Sequence, residues 1–129
     1  QHRITMKRLC LLIIFSFIVS NISARNKIKR VYYIWGTDKN AVRGKHAHRK
    51  LEQVIVCTSG SCDFILDDGK ERVIINLDNP SVGLHIKSNI WREFTNFSSD
   101  CVVMVLASEH YDESDYIRDY ETFKTEIVK

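Results

Sequence analysis

From Lys27 onward, apolar residues fall in short runs of β-branched and aromatic character, separated by turn formers. Arg30-Val31-Tyr32-Tyr33-Ile34-Trp35 predicts a strand that ends at Gly36, and Gly36 to Lys45 reads as a polar loop. Leu51 to Thr58 predicts a second strand, closed by Ser59-Gly60. Cys62 to Leu66 and Glu71 to Leu77 flank Asp67-Asp68-Gly69-Lys70, a strong hairpin signal. Asp78-Asn79-Pro80 breaks the chain, and Val82 to Ile86, Trp91 to Asn96 and Cys101 to Ala107 bring the total to about seven strands. Turn signals recurring roughly every 8–12 residues belong to sandwiches and barrels. The expected fold class is therefore all-β, an antiparallel sheet closed into a jelly roll. One helix is expected after it. Asp112 can cap that helix, with Asp115 three residues on, and Tyr116, Ile117, Tyr120, Phe123 and Ile127 form its apolar stripe.

The beginning of the chain breaks this pattern. Met6-Lys7-Arg8 is basic, Leu9 to Val19 is an apolar run interrupted only by Ser16, and Asn21-Ile22-Ser23-Ala24 offers small residues. That is the layout of a secretory signal peptide, too short for a membrane-spanning helix of about 20 apolar residues. The alternatives are a buried strand or helix of the domain, or a non-native start on a cytoplasmic protein. Residues 1–26 are accordingly set apart from a single domain over residues 27–129.

A chain of 129 residues with 44% hydrophobic residues suits one core. A formal net charge of +3, without a Lys/Arg cluster, argues against nucleic acid. Cys57, Cys62 and Cys101 lie in or beside the apolar strand runs and read as buried free thiols; Cys10 lies in the N-terminal run. A Cys57–Cys62 bridge would require an oxidising compartment.

The candidate chemistry centres on His46 and His48. Residues two apart on a strand share a face, so both imidazoles point to one side. Gly44, His46, His48 and Glu52 match the first half of a metal-binding β-barrel layout. Such a site needs another His near the Trp91 strand. Arg92 stands there instead, and a guanidinium has no lone pair to offer a metal. His85 is the nearest substitute. The competing reading is acid–base catalysis, since neutral imidazole accepts and returns a proton near neutral pH, and two such rings can serve adjacent carbons of one substrate. A pair of histidines without a task is the third reading.

At these residues the chain resembles the FdtA/QdtA (WxcM-like) family of dTDP-sugar 3,4-ketoisomerases in the cupin superfamily. The resemblance rests on Lys29 to Ile34, Arg43-Gly44-Lys45-His46-Ala47-His48, Lys50-Leu51-Glu52-Gln53-Val54, Pro80 to Leu84, Trp91-Arg92-Glu93, Ser98 to Val102, Val105 to Glu109 and Tyr111 to Arg118. It covers about Lys29 to Phe123 and does not extend to Leu9–Asn26, which lacks the family's acidic-glycine turn. The resemblance implies a cupin barrel and a homodimer working without metal or other cofactor. The implied reaction moves the carbonyl of dTDP-4-keto-6-deoxyglucose from C4 to C3 through an enediol, for 3-amino-3,6-dideoxyhexose synthesis. By position, His46 is the implied main base, His48 its partner, and Tyr32 a hydroxyl acting on the sugar oxygen. Arg43 is implied to meet the nucleotide diphosphate. Arg92 is implied to select the branch that keeps the gluco configuration at C4, and Arg30, Gln53 and Trp91 to contact substrate. Because the family's substrates are cytoplasmic, a cytoplasmic protein without stable membrane association is expected; export is the alternative if Met6–Ala24 works as a signal.

Overall fold

The computed structural model describes residues 11–14 and 28–127. The strands are β1 (Leu11–Ile14), β2 (Arg30–Trp35), β3 (Arg43–His48), β4 (Gln53–Ser59), β5 (Cys62–Asp67), β6 (Arg72–Leu77), β7 (Val82–Ile86), β8 (Trp91–Thr95), β9 (Val102–Ala107) and β10 (Tyr116–Ile117). Helix α1 (Tyr120–Ile127) follows. They form two five-stranded sheets, ordered β1-β7-β4-β9-β2 and β10-β3-β8-β5-β6. The strand pairings are antiparallel; β5 and β6 form a hairpin, and the other pairs bring together strands distant in the chain.

Alternation decides what each strand buries. On β2, Arg30, Tyr32 and Ile34 turn inward while Val31, Tyr33 and Trp35 face outward. Ile55, Cys57, Phe64, Leu66, Leu84, Ile86, Phe94, Val103 and Val105 fill the space between the sheets. Each fully buried large apolar side chain there contributes about 1.5–3 kcal/mol. A second cluster, Ala47, Trp91, Ile117 and Phe123, seats α1 on the outside of the second sheet.

The helix begins later than the apolar stripe predicts. Asp112 does act as a cap, but of a short 3₁₀ turn, Glu113–Asp115, accepting from the Ser114 amide. Tyr116 and Ile117 are extended because they pair with His48 and Ala47 of β3. Their tertiary partners override the helical spacing. The cap of α1 is Asp119, whose carboxylate accepts from the Thr122 amide and hydroxyl at 2.8 and 2.9 Å.

Leu11–Ile14 of the apolar N-terminal run pair antiparallel with β7, Leu11 opposite His85 and Ile14 opposite Val82. The remainder of the signal-like segment, including Cys10, lies outside the described residues. Cys57, Cys62 and Cys101 are free and buried. No helix among the described residues is long and apolar enough to cross a membrane.

Candidate active site

A cavity of about 240 Å³ opens between the sheets, with His46, Tyr32, Gln53, Arg92, Tyr116 and Arg118 on its walls. Arg43 stands at its edge among the same lining residues. Phe64, Phe94, Val103 and Val105 form an apolar floor.

His46 reaches the cavity through a bulge in β3. Gly44 and Lys45 both take positive φ, +85° and +49°, and the β3–β8 register shifts between Gly44 and His46. The extra residue re-aims the strand so that His46 stands opposite Arg92. Its Nδ1 lies 2.9 Å from the Gly44 carbonyl and its Nε2 lies 3.1 Å from Nε2 of His48. His48 is fully buried behind His46 and does not border the cavity. Its Nδ1 lies 3.1 Å from Asp115 Oδ2. The two rings therefore stand in series, the second supporting the first, rather than side by side before two carbons.

Burial, reinforced by the neighbouring Arg92 charge, lowers the pKa of His46 to about 4 and that of His48 to about 2. Both are neutral at pH 7, the form a base needs. The contact of His48 with Asp115 is thus a hydrogen bond from a neutral ring to a carboxylate.

Arg92 is 1% exposed, and its side chain donates to an amide oxygen and a backbone carbonyl rather than to a carboxylate. Nη1 donates to Gln53 Oε1 at 2.7 Å; Nη2 and Nε donate to the Ile90 carbonyl at 2.9 and 3.3 Å. Burial lowers its pKa to about 10, which leaves it charged. Gln53 spends its side chain within the protein: Oε1 receives Arg92, and Nε2 donates to the Tyr32 hydroxyl oxygen at 3.1 Å. Tyr32, raised in pKa by burial and by Tyr116, keeps its proton. With its oxygen already accepting, that proton is free to turn toward the cavity. Arg30 lies 5.0 Å from the Tyr32 ring, and its buried Nε and Nη2 have no hydrogen-bond partner.

Trp91 does not join this group. It precedes Arg92 on β8 and so faces the other side of the sheet. Its ring packs on Tyr120 and Phe123, at centroid distances of 5.3 and 5.7 Å, and its Nε1 donates to Glu93. The metal-ligand set fails for the same reason. Gln53 and Ile86 point inward, so Glu52 and His85 point outward, where they meet at 2.9 Å. Neither can join His46. Among the described residues, the group with metal-ligand spacing is Cys57, Cys62 and Cys101, deep in the core. Tyr116 and Arg118 on the cavity and Asp115 on His48 are not singled out as site residues by the sequence pattern. Tyr116 packs against both imidazoles at centroid distances of 4.8 and 4.3 Å, a placement hidden by the helical spacing of its segment.

Two facing antiparallel sheets with neutral imidazole, phenol and buried guanidinium between them make a cupin-type fold whose cavity carries groups suited to acid–base chemistry. The family model described as FdtA, WxcM-like, C-terminal, matches residues 13–128, and the chain belongs to that family of sugar-nucleotide 3,4-ketoisomerases. It is 59% identical over 102 residues to the TDP-4-oxo-6-deoxy-α-D-glucose-3,4-oxoisomerase of Aneurinibacillus thermoaerophilus, covering 79% of this chain and 73% of that one. The sugar 3,4-ketoisomerase QdtA of Thermoanaerobacterium thermosaccharolyticum, crystallised with TDP, superposes with a TM-score of 0.77 at 50% identity, covering 78% of this chain and 74% of that one. The TDP-quinovose 3,4-ketoisomerase WlaRB of Campylobacter jejuni superposes with a TM-score of 0.75 at 53% identity, covering 78% and 77%.

Proposed function

We propose that this chain converts TDP-4-keto-6-deoxyglucose into its 3-keto isomer, with His46 as the base. The observation that carries the reading is one neutral imidazole at the wall of a cavity that also holds a buried guanidinium with neutral partners and a phenol free to donate. The names of the relatives supply the substrate class. A volume of about 240 Å³ falls below the ~300–1,000 Å³ of sites for whole drug-sized ligands, so the cavity suits the sugar alone, with the nucleotide outside.

In this reading His46 removes the proton on C3, and the C3–H electron pair forms the C3–C4 double bond. The C4 carbonyl electrons move to oxygen, where Tyr32 donates a proton and Arg92 offsets the developing charge. The resulting enediol collapses the other way. O3 gives up its proton and becomes the carbonyl, and C4 receives a proton. Arg43 and Arg30 supply donors for the diphosphate. Gln53, which lines the cavity, orients Tyr32 and Arg92, a positioning part beside the substrate contact expected of it. A second copy of the chain covers the outward Val31, Tyr33 and Trp35, which are 50%, 53% and 72% exposed. The reading carries with it a cytoplasmic location, where nucleotide sugars are made.

The test is turnover of TDP-4-keto-6-deoxyglucose, with the 3-keto product trapped by an aminotransferase. His46→Asn is expected to lower kcat by at least about 100-fold. Unchanged turnover in that variant would remove His46 as the base.

A further inference from the structure

The hydrogen bonds around the two imidazoles can be counted proton by proton. The Gly44 carbonyl at one end and the Asp115 carboxylate at the other can only accept. Each faces a ring Nδ1, at 2.9 and 3.1 Å. A neutral imidazole carries one N–H, so each ring spends its proton on its outer acceptor. The two Nε2 atoms are left with lone pairs facing each other across 3.1 Å, a distance that accommodates one shared hydrogen.

We propose that Asp115 is a positioning residue that holds His48 in the Nδ1–H form, so that His46 and His48 take up the sugar proton as one shared N–H···N unit. The inference rests on the isomerase reading above. The C3–H bond breaks toward the enediol, and the proton bonds to Nε2 of His46, where Nε2 of His48 accepts from it. The same proton returns to carbon as the enediol collapses. Nothing else need be oxidised or reduced.

Asp115 is itself fixed from two sides. Its Oδ1 accepts from the Lys50 amide at 2.7 Å and its Oδ2 from the Leu51 amide at 3.2 Å. The carboxylate also balances charge. A proton on the pair adds one positive charge close to Arg92, Arg30 and Arg118, which oppose it. The charge of Asp115, in hydrogen-bond contact with the pair, offsets that opposition. The Tyr116 ring packs against both imidazoles and limits their rotation.

Nitrogen-15 NMR of histidine-labelled protein reads the tautomer directly, on the intact wild-type chain. The expected result is His48 protonated on Nδ1 and bare on Nε2. Asp115→Asn should shift His48 toward the Nε2–H form, because an amide NH₂ can meet a bare Nδ1. It should lower kcat by at least about 10-fold with KM changed less than 2-fold, in the direction of the ~10⁴-fold loss that a wrong tautomer causes in the Ser-His-Asp triad. Asp115→Glu should recover part of the loss. An active wild-type chain with His48 protonated on Nε2 overturns this role alone. A folded Asp115→Asn protein with unchanged kcat overturns it as well. A wild-type chain that never turns over the sugar overturns the isomerase reading, and this role with it, whichever tautomer is found.

Discussion

Gly44→Ala tests whether the β3 bulge is held by backbone geometry and close packing together. Gly44 has φ +85°, a conformation that costs an L-residue about 1–2 kcal/mol. An added Cβ would also stand 3.0 Å from the Arg92 carbonyl oxygen and 3.1 Å from Cδ1 and Cε1 of Phe94. The carbonyl belongs to the paired backbone of β8, and Phe94 is stacked on Phe64 at 4.9 Å, so neither moves aside cheaply. Overpacking of this kind adds about 1–3 kcal/mol. The expected total is about 2–5 kcal/mol, a large share of a typical ~5–15 kcal/mol stability. Gly36→Ala is the control. Gly36 has φ +63° but nothing within 4 Å of its Cβ position, so only the backbone cost applies. Urea unfolding of both variants at pH 7, compared by midpoint at constant slope, separates the two contributions. Equal losses for Gly36→Ala and Gly44→Ala would refute the steric argument. A Gly44→Ala loss under about 0.5 kcal/mol would refute both parts. Residual native Gly44→Ala protein should also turn over more slowly, since the bulge aims His46.

The buried histidines should make the fold acid-sensitive. His46 titrates near 4 when folded and near 6.5 when unfolded, so below pH 6.5 the unfolded chain binds the extra proton. Stability is full above about pH 6.5 and should fall by about 1.4 kcal/mol per pH unit for this group as pH decreases toward 4. Urea midpoints at pH 6.5, 6.0 and 5.5, before most carboxylates titrate, should decline in step; a flat series would contradict burial of the neutral ring. The core thiols should resist alkylation. Burial pushes Cys57 up to about 12 and raises Cys62 as well, which removes the reactive thiolate. Peptide mapping after iodoacetamide at pH 8 should find Cys57 and Cys62 unmodified until denaturant is added, and rapid labelling of the native protein would count against the packing.

The strands were legible in the chain because alternation and turn chemistry agree. Asp67-Asp68-Gly69-Lys70 and Ser59-Gly60 stand where the chain reverses, and alternation along β2 turns Tyr32 inward and Tyr33 outward. Two misreadings have local causes. Tyr116 to Phe123 carries helical spacing, but its first two residues are held extended by β3, a partner more than sixty residues away. Trp91 and Arg92 are neighbours on one strand, so a period of two excludes both from one pocket, and the resemblance alone had placed them together. The relation of His48 to the cavity was illegible for another reason. A shared strand face shows direction, not depth, and the bulge at Gly44-Lys45 and the covering Tyr116 set which ring meets the cavity.

In the proposed reaction, the placement of Arg92 would let side chains of the scaffold stabilise an enolate. A developing oxyanion needs a nearby positive charge in a dry site, and a guanidinium meets that need as a fixed cation. Its cost is desolvation, here only partly offset by Gln53 and the Ile90 carbonyl. A carboxylate partner would have neutralised it, and among the described residues the cavity lining contains none. The nearby acid, Asp115, instead contacts His48, where in the proposed reaction it would support the ring pair that takes up positive charge. The positive and negative charges thus stand at opposite ends of the proposed proton transfer. In the proposed reaction the electrons moving to the sugar oxygen would approach Arg92, and the proton leaving the sugar would approach the carboxylate.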